Sequence, residues 1–408
     1  MNHYPFPYIT HLNGVLDAIE GHPEFIVAER DGYKVVNYLV STETSFPEIN
    51  TVSLTNGETE LGPIYEQEED QFSAIRRELR GMIFDSNGNL ISRRYHKFFN
   101  IGEREETLPN KIDLSLPHKV LIKMDGSMIS FINVNGEVKA TTKMGVTDVA
   151  EQAQKFIQDK PQYINIFNDL PDFTVIFEWC SRKQKIVIDY PVDQLVLTAV
   201  RSNYFGTYMS FEELEELGKK YDIPVVKSYP SSDLDTLMSK IKSETSIEGV
   251  VIRFDDGHML KLKADLYVKM HHARDALVFE KNVVSMLLDA SIDDIKSHLP
   301  MEELAKLVDF ENKFLFGIDQ TVSAMIPLVD NTRKSFTKKE FALGLGTTMN
   351  PLTRSIFFSL WDSTNLKEDV MEKVIEIIKK NTSSSSGIDK VRYLWNHHKW
   401  NYSFQGDN

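Results

Sequence analysis

Cysteine is nearly absent from this 408-residue chain: only Cys180 is present, so no intramolecular disulfide can form. That fits a reducing compartment, and a cytoplasmic protein is the expectation. Cys180 follows Trp179 in an apolar run and reads as a small filler, not a reactive thiol. Met1 to Thr10 show no basic stretch followed by an apolar one, as a secretory signal would. No apolar run is long enough to cross a membrane, so no membrane partner is expected. Zinc-ligand spacing of His and Cys is missing, and the pair His271-His272 reads as structural or surface. An excess of positive charge is missing as well: 46 Lys and Arg against 60 Asp and Glu leave a net charge of −14. That argues against a protein that coats nucleic acid through its overall charge, and leaves room for a local basic cleft that grips phosphates.

What is there suffices for a sizeable core. Hydrophobic residues make up 41% and charged residues 26%, and the length suits two or three domains. Asx-Gly pairs punctuate the first two thirds: Asn87-Gly88, Asp125-Gly126, Asn135-Gly136 and Asp256-Gly257. Each lies between apolar β-branched runs, a pattern that predicts antiparallel hairpins. Helices are predicted over Val149 to Ile157, with Asp148 as N-cap, and over Ser210 to Lys220, where Ser210 and Glu213 form a capping-box pattern. After about His272 strand signals vanish. Asp275 to Leu288, Glu302 to Leu328 and Leu366 to Lys380 show helical spacing of apolar residues. The Ser-rich stretch Thr382 to Gly387 reads as a flexible loop before a short last helix. The chain thus reads as α+β: a β-rich domain over 1–270, of antiparallel sheets with flanking helices, then an all-α domain over 271–408. The acidic stretch Glu58 to Asp70 reads as part of a solvated loop insertion over about 41–72.

The chemistry-bearing residues lie in the β-rich part. In Lys123-Met124-Asp125-Gly126-Ser127 a lysine ends an apolar strand directly before a turn. Alone, such a lysine is a surface charge. Downstream, carboxylates sit in two apolar runs, Glu178 between Phe177 and Trp179 and Glu248 before Gly249-Val250-Val251-Ile252. After the Asp256-Gly257 turn, alternation puts Lys261 and Lys263 on one strand face, where like charges repel unless an anion lies between them. Upstream, Arg80-Gly81 opens an apolar strand. Ser92 to Asn100 then interleaves cations with aromatics, as an amphipathic strand or a base-stacking, phosphate-binding wall would.

In this order the elements resemble the motifs of covalent nucleotidyltransferases, and more narrowly the bacteriophage tRNA-repair RNA ligases of the RNA ligase 1 type. The resemblance rests on Lys123-x-Asp125-Gly126, Arg80-Gly81-Met82-Ile83-Phe84, Lys97-Phe98-Phe99-Asn100, Phe177-Glu178-Trp179, Ile186-Val187-Ile188 and the block Ile247 to Tyr267. It covers roughly Tyr33 to Asp294. It implies a nucleotidyltransferase domain at 1–270, with the helical domain serving RNA specificity. It implies an ATP-dependent RNA ligase that joins 5′-phosphate and 3′-hydroxyl ends through a lysyl-AMP and an adenylated RNA, in tRNA repair. Lys123 would be the nucleophile. Tyr38, Arg80, Lys97, Phe99, Gly126, Lys143 and Glu178 would line the ATP site, with Gly249 beside Glu248. Lys261 and Lys263 would hold the phosphates. Glu178, Glu248, Lys261 and Lys263 would share in catalysis, and Glu248 and Asp293 would bind the metal. The cofactors implied are ATP as AMP donor and Mg²⁺, with Mn²⁺ as the alternative. The partner implied is single-stranded RNA or tRNA, met by a monomer. The competing expectations are another covalent nucleotidyltransferase, a DNA ligase or capping enzyme, and a noncatalytic RNA-binding module.

Overall fold

The computed structural model describes residues 4–39, 44–52, 63–182, 187–289, 291–296, 299 and 301–402. Two compact units divide the chain, Met1–Val268 and Lys269–Asn408.

The first unit carries three four-stranded sheets. Helix α1 (Asn13–Ile19) precedes β1 (Phe25–Arg30) and β2 (Tyr33–Tyr38); α2 (Glu68–Glu78) then leads into β3 (Arg80–Asp85) and β4 (Leu90–Ser92). These strands form the first sheet in the order β1-β2-β3-β4, all antiparallel. The third sheet takes β5 (Phe99–Asn100) and β6 (His118–Lys123). The second takes β7 (Ser127–Val134), β8 (Glu137–Thr141), β9 (Phe173–Cys180) and β10 (Gln194–Ser202) in the order β10-β9-β7-β8. Helices α3 (Asp148–Phe156), α4 (Gln162–Asp169) and α5 (Phe211–Tyr221) bury Ala150, Ile166 and Leu214 in the core that includes Ile129, Val175 and Leu197 of the second sheet. After α6 (Leu234–Ser243), strands β11 (Gly249–Phe254) and β12 (Met259–Lys263) complete the third sheet as β5-β12-β11-β6. Its β12–β5 pair is parallel, a departure from the all-antiparallel expectation. Helix α7 (Asp265–Leu277) follows.

Three of the four Asx-Gly pairs make the hairpins they predict. Asn135-Gly136, with both φ angles positive, joins β7 to β8, while Asn87-Gly88 joins β3 to β4 and Asp256-Gly257 joins β11 to β12. Asp125-Gly126 does not. It carries the chain from β6 in the third sheet to β7 in the second. Gly126 is required there by closeness, not by φ: a Cβ would lie 2.3 Å from the Trp179 carbonyl oxygen. Helix α5 has the capping box read from Ser210 and Glu213, whereas α3 is capped one residue early, by Thr147. The acidic insertion is corrected in its described part. Residues 68–72 open α2, and Asp70 is buried because its carboxylate accepts from the backbone N–H of Gln67 and of Asn50. Residues 41–43 and 53–62 of that insertion lie outside the described residues, as does Ile186.

After the end of α7, the α-helices among the second unit's described residues are α8 (Glu280–Leu288), α9 (Ile292–Lys296), α10 (Met301–Ser335), α11 (Lys338–Leu343), α12 (Pro351–Ser359), α13 (Leu366–Lys380) and α14 (Ser385–Val391), with no strand among them. One core joins Phe310 and Phe314 of α10 to Val374 and Ile378 of α13 and to Trp395. The apolar pattern of Leu366 to Lys380 matches α13 at both ends, but that of Asp275 to Leu288 is broken between α7 and α8. The Ser-rich stretch is not a free loop: the Ser384 hydroxyl accepts from the Gly387 N–H and caps α14. No helix among the described residues is long and apolar enough to cross a membrane.

Candidate active site

Register in the third sheet sets the site. Gly249 of β11 is paired with Lys123 of β6 on one side and with Lys263 of β12 on the other. Residues in register share a sheet face, so the two lysines flank a position that has no side chain. Glu248, just before β11, is buried and bridges them: Lys123 Nζ donates to its Oε2 at 2.6 Å, and Lys263 Nζ lies 3.1 Å from its Oε1. Gly249 is obligatory, since its φ is +152° and a Cβ would meet the Leu262 carbonyl oxygen at 2.1 Å.

The face continues away from this row. Val251 is in register with Leu121 and Lys261, and Arg253 with Lys119 and Met259. Facing these residues across a cavity of about 540 Å³ are Ser127, Met128, Glu178 and Thr198 of the second sheet; Arg80, Tyr95, Phe98, Thr142 and Lys143 also line it. The volume is that of a small-molecule site. Leu121, Met128, Val226, Val251 and Met259 give it an apolar lining, which suits a flat ring.

Cations gather on one flank. Burial, then the neighbouring Lys97 and Arg80, pushes the Lys261 amine down to about 8. Lys97 is also pushed to about 8, mainly by burial. Lys143 is lowered by burial and by Arg80. The Lys97 ammonium sits 5.2–5.3 Å from the ring centroids of Tyr38, Phe46 and Phe99. Such a group of desolvated cations is held at a cost and gains from a polyanion. Near pH 8.5 both lysines are partly neutral, and a bound triphosphate favours their charged forms. Binding of a triphosphate at that pH is therefore expected to take up protons, roughly one in total. Calorimetry in two buffers of different ionisation heat measures this, and Lys261→Met should lower the uptake. A binding heat independent of buffer is the contrary result.

The carboxylates behave differently from one another. Glu178 is pushed up to about 7, first by burial and further by Glu248, against the opposing pull of Lys123. The folded protein therefore keeps a proton on Glu178 that the unfolded chain loses near the ordinary value of about 4.3. Stability falls as pH rises from there to about 7, and the full penalty stands above 7. Without nucleotide or metal, Glu178→Gln should be more stable than the parent by about 1–2 kcal/mol at pH 8 and equal to it near pH 4. Melting temperature against pH tests this, and a gain of the same size at both ends would refute it. Cys180 is inert: burial, then Glu178, pushes its thiol up to about 12.

Asp125, named in the motif but not as a site residue, is a buried anchor. Its Oδ2 accepts from the N–H groups of Val187 and Ile188 at 2.7 and 2.6 Å, and its Oδ1 from the Tyr267 hydroxyl at 2.8 Å. It ties two later segments to the turn that carries Lys123, and the Lys263 ammonium lies over the Tyr267 ring, 5.1 Å from its centroid.

Of the residues expected at the site, Arg80, Lys123, Gly126, Lys143 and Glu178 line the cavity. Glu248, Gly249 and Lys263 adjoin Lys123, and Lys261 stands on the cationic flank. Tyr38 and Phe99 do not line the cavity. They sit behind it as two walls of the Lys97 enclosure, and Phe99 is buried in the core that includes Phe46 and Met82. Asp293 is in the second unit, on α9, with its carboxylate exposed and 2.9 Å from Lys296. Sequence reading does not single out Arg253 or Thr198, whereas Tyr95 and Phe98 fall in the stretch read as a base-stacking wall. The period of two along β11 marks Arg253 as sharing a face with Gly249 and Val251.

Residues 78–268 match the family model described as RNA ligase. The protein named "Putative RNA ligase" of Thermovibrio ammonificans is 30% identical over 238 residues, 54% of this chain and 60% of that protein. RNA ligase 1 of bacteriophage TS2126 is 24% identical over 260 residues, 59% of this chain and 63% of that protein. The chain thus spans about three fifths of the length of these curated relatives. A solved structure named "Putative ATP-dependent DNA ligase from Aquifex aeolicus" overlays with a TM-score of 0.42 at 13% identity, covering 94% of this chain and 81% of that one.

Proposed function

We propose that this chain, whose residues 78–268 match the family model described as RNA ligase, is an ATP-dependent RNA ligase working through Lys123. The observation that carries the reading is the row Lys123, Gly249, Lys263 closed by Glu248 at the edge of a nucleotide-sized cavity. The Lys123 nitrogen attacks the α-phosphorus of ATP. A P–N bond forms, the bond to the β-phosphate oxygen breaks, and pyrophosphate leaves. An oxygen of an RNA 5′-phosphate then displaces the lysine and takes AMP. An RNA 3′-hydroxyl attacks that phosphate and AMP leaves. Each displacement is easier than direct condensation.

Lys123 Nζ donates to Glu248 and needs a free lone pair to attack. Glu248, already hydrogen-bonded to it, is placed to hold the proton that must leave. Lys261, Lys97, Arg80 and Lys143 offer positive charge to the phosphates of the leaving group. Among the described residues, no three His, Cys, Asp or Glu side chains converge as a self-sufficient metal cage. Mg²⁺, or Mn²⁺, is usually held by one or two carboxylates plus substrate phosphates and water. Glu248 and Glu178 would hold it, and their mutual repulsion is what a cation relieves. When bound, the cation neutralises charge that develops on phosphate oxygens. The RNA we assign is a single-stranded or cleaved-loop end, tRNA included.

Glu248→Gln and Lys263→Ala should each slow sealing by about 100-fold, since both remove a charge that acts on the reacting phosphate. Normal sealing by both variants places the chemistry elsewhere. The direct assay is a 5′-phosphorylated single-stranded RNA with ATP and Mg²⁺. Circles or an adenylated RNA are expected; sealing of nicked DNA alone overturns the RNA assignment.

A further inference from the structure

Arg253 has no part in the mechanism above, yet it lines the same cavity. It lies four residues along β11 from Gly249, about 13 Å at the usual strand rise. The β- and γ-phosphates have their own cations in Arg80, Lys97, Lys143 and Lys261. A nucleotide whose α-phosphorus is at Lys123 and whose ring lies on Val251 and Leu121 extends its base toward Arg253. Arg253 is 8% exposed, its guanidinium is backed by the Tyr208 ring 5.4 Å away, and its Nη1 is buried with no partner among the described residues. Nη1 itself has no surface open to the cavity, so an acceptor on a ligand would meet the other nitrogens of the guanidinium, through the part of Arg253 that lines it.

We infer that Arg253 is a specificity-determining residue that donates a hydrogen bond to a ring nitrogen of the donor nucleotide's purine. This rests on the reading of the chain as an adenylating ligase. Adenine offers ring-nitrogen acceptors, and a hydrogen bond from a charged donor is worth roughly ten- to a hundredfold in affinity.

The test is self-adenylation of the full chain with ATP and with 1-deaza-, 3-deaza- and 7-deaza-ATP, in the parent and in Arg253→Met. The parent should lose roughly tenfold or more in KM with one of the three analogues and little in kcat. Arg253→Met should handle ATP as poorly as the parent handles that analogue, with no further loss when the two changes are combined. Arg253→Lys, with fewer donors and the same charge, should fall between. A merely structural role gives the same loss with all four nucleotides, and that additive pattern overturns the inference. A parent that uses all three analogues as well as ATP overturns it too, whether or not the variants fold. Both of these results presuppose labelling. A parent that takes no label from any of the four refutes the ligase reading itself.

Discussion

Alanine at position 123 should stop transfer of label from α-³²P ATP to the protein, with a fall of at least about a thousandfold, while the fold survives. The side chain is about a quarter exposed and contributes charge more than packing. Its loss leaves Glu248 paired with Lys263, so the carboxylate is not stranded. The stability cost should therefore stay near 1 kcal/mol, not the several that a buried unpaired charge incurs. Two readings of Lys123 predict different results for a second substitution. If Lys123 only neutralises Glu248, Lys123→Arg keeps that pair and should keep labelling. If its nitrogen is the nucleophile, Lys123→Arg is as inactive as Lys123→Ala, because a guanidinium remains protonated. Near-parental labelling of either variant, with the fold verified by its melting curve, removes the premise of the mechanism.

The strands and helices around this site were legible because their signals are local. A period of two, an Asn-Gly turn or a Ser-x-x-Glu cap depends on a few consecutive residues, and β7–β8 and α5 followed from them. Asp125-Gly126 looked the same locally and behaved otherwise. Its Asp side chain is claimed by Val187, Ile188 and Tyr267, from 62 to 142 positions away, and no window of sequence contains that competition. The site had the same division. Lys123, Glu248 and Lys263 could be named from motif order, but the bridging of both lysines by one carboxylate is a consequence of register through Gly249. Tyr38 and Phe99, expected at the nucleotide, stand around the Lys97 ammonium, an enclosure that only the packing of distant segments makes visible. Arg253 shares the cavity-facing side of β11, but in sequence an arginine at the end of a strand is ordinarily a solvated charge.

Gly249→Ala should be the most damaging small substitution in the molecule's first unit. The new methyl would have to sit 2.1 Å from the Leu262 carbonyl oxygen and 2.7 Å from the Lys263 Cα, both backbone atoms of the paired strand. The φ of +152° adds conformational strain for any L side chain. Neither term is relieved by turning a rotamer, so β11 and β12 must separate where Lys123 and Lys263 face each other. A loss of about 3–5 kcal/mol is expected, in the range reserved for overpacking combined with backbone strain. Since the separation falls on the row that places both amines against Glu248, labelling should also fall by about a hundredfold or more even where the variant remains folded. Gly136→Ala is the control. It too has a positive φ, of 86°, but nothing lies within 4 Å of the added methyl, and it is in the β7–β8 turn. It should cost about 1 kcal/mol and leave labelling intact. Urea unfolding and a labelling time course on both variants separate strain at a turn from displacement of the site. Equal stability and equal labelling for the two would mean that the close approach of β11 to β12 does not hold the lysine row.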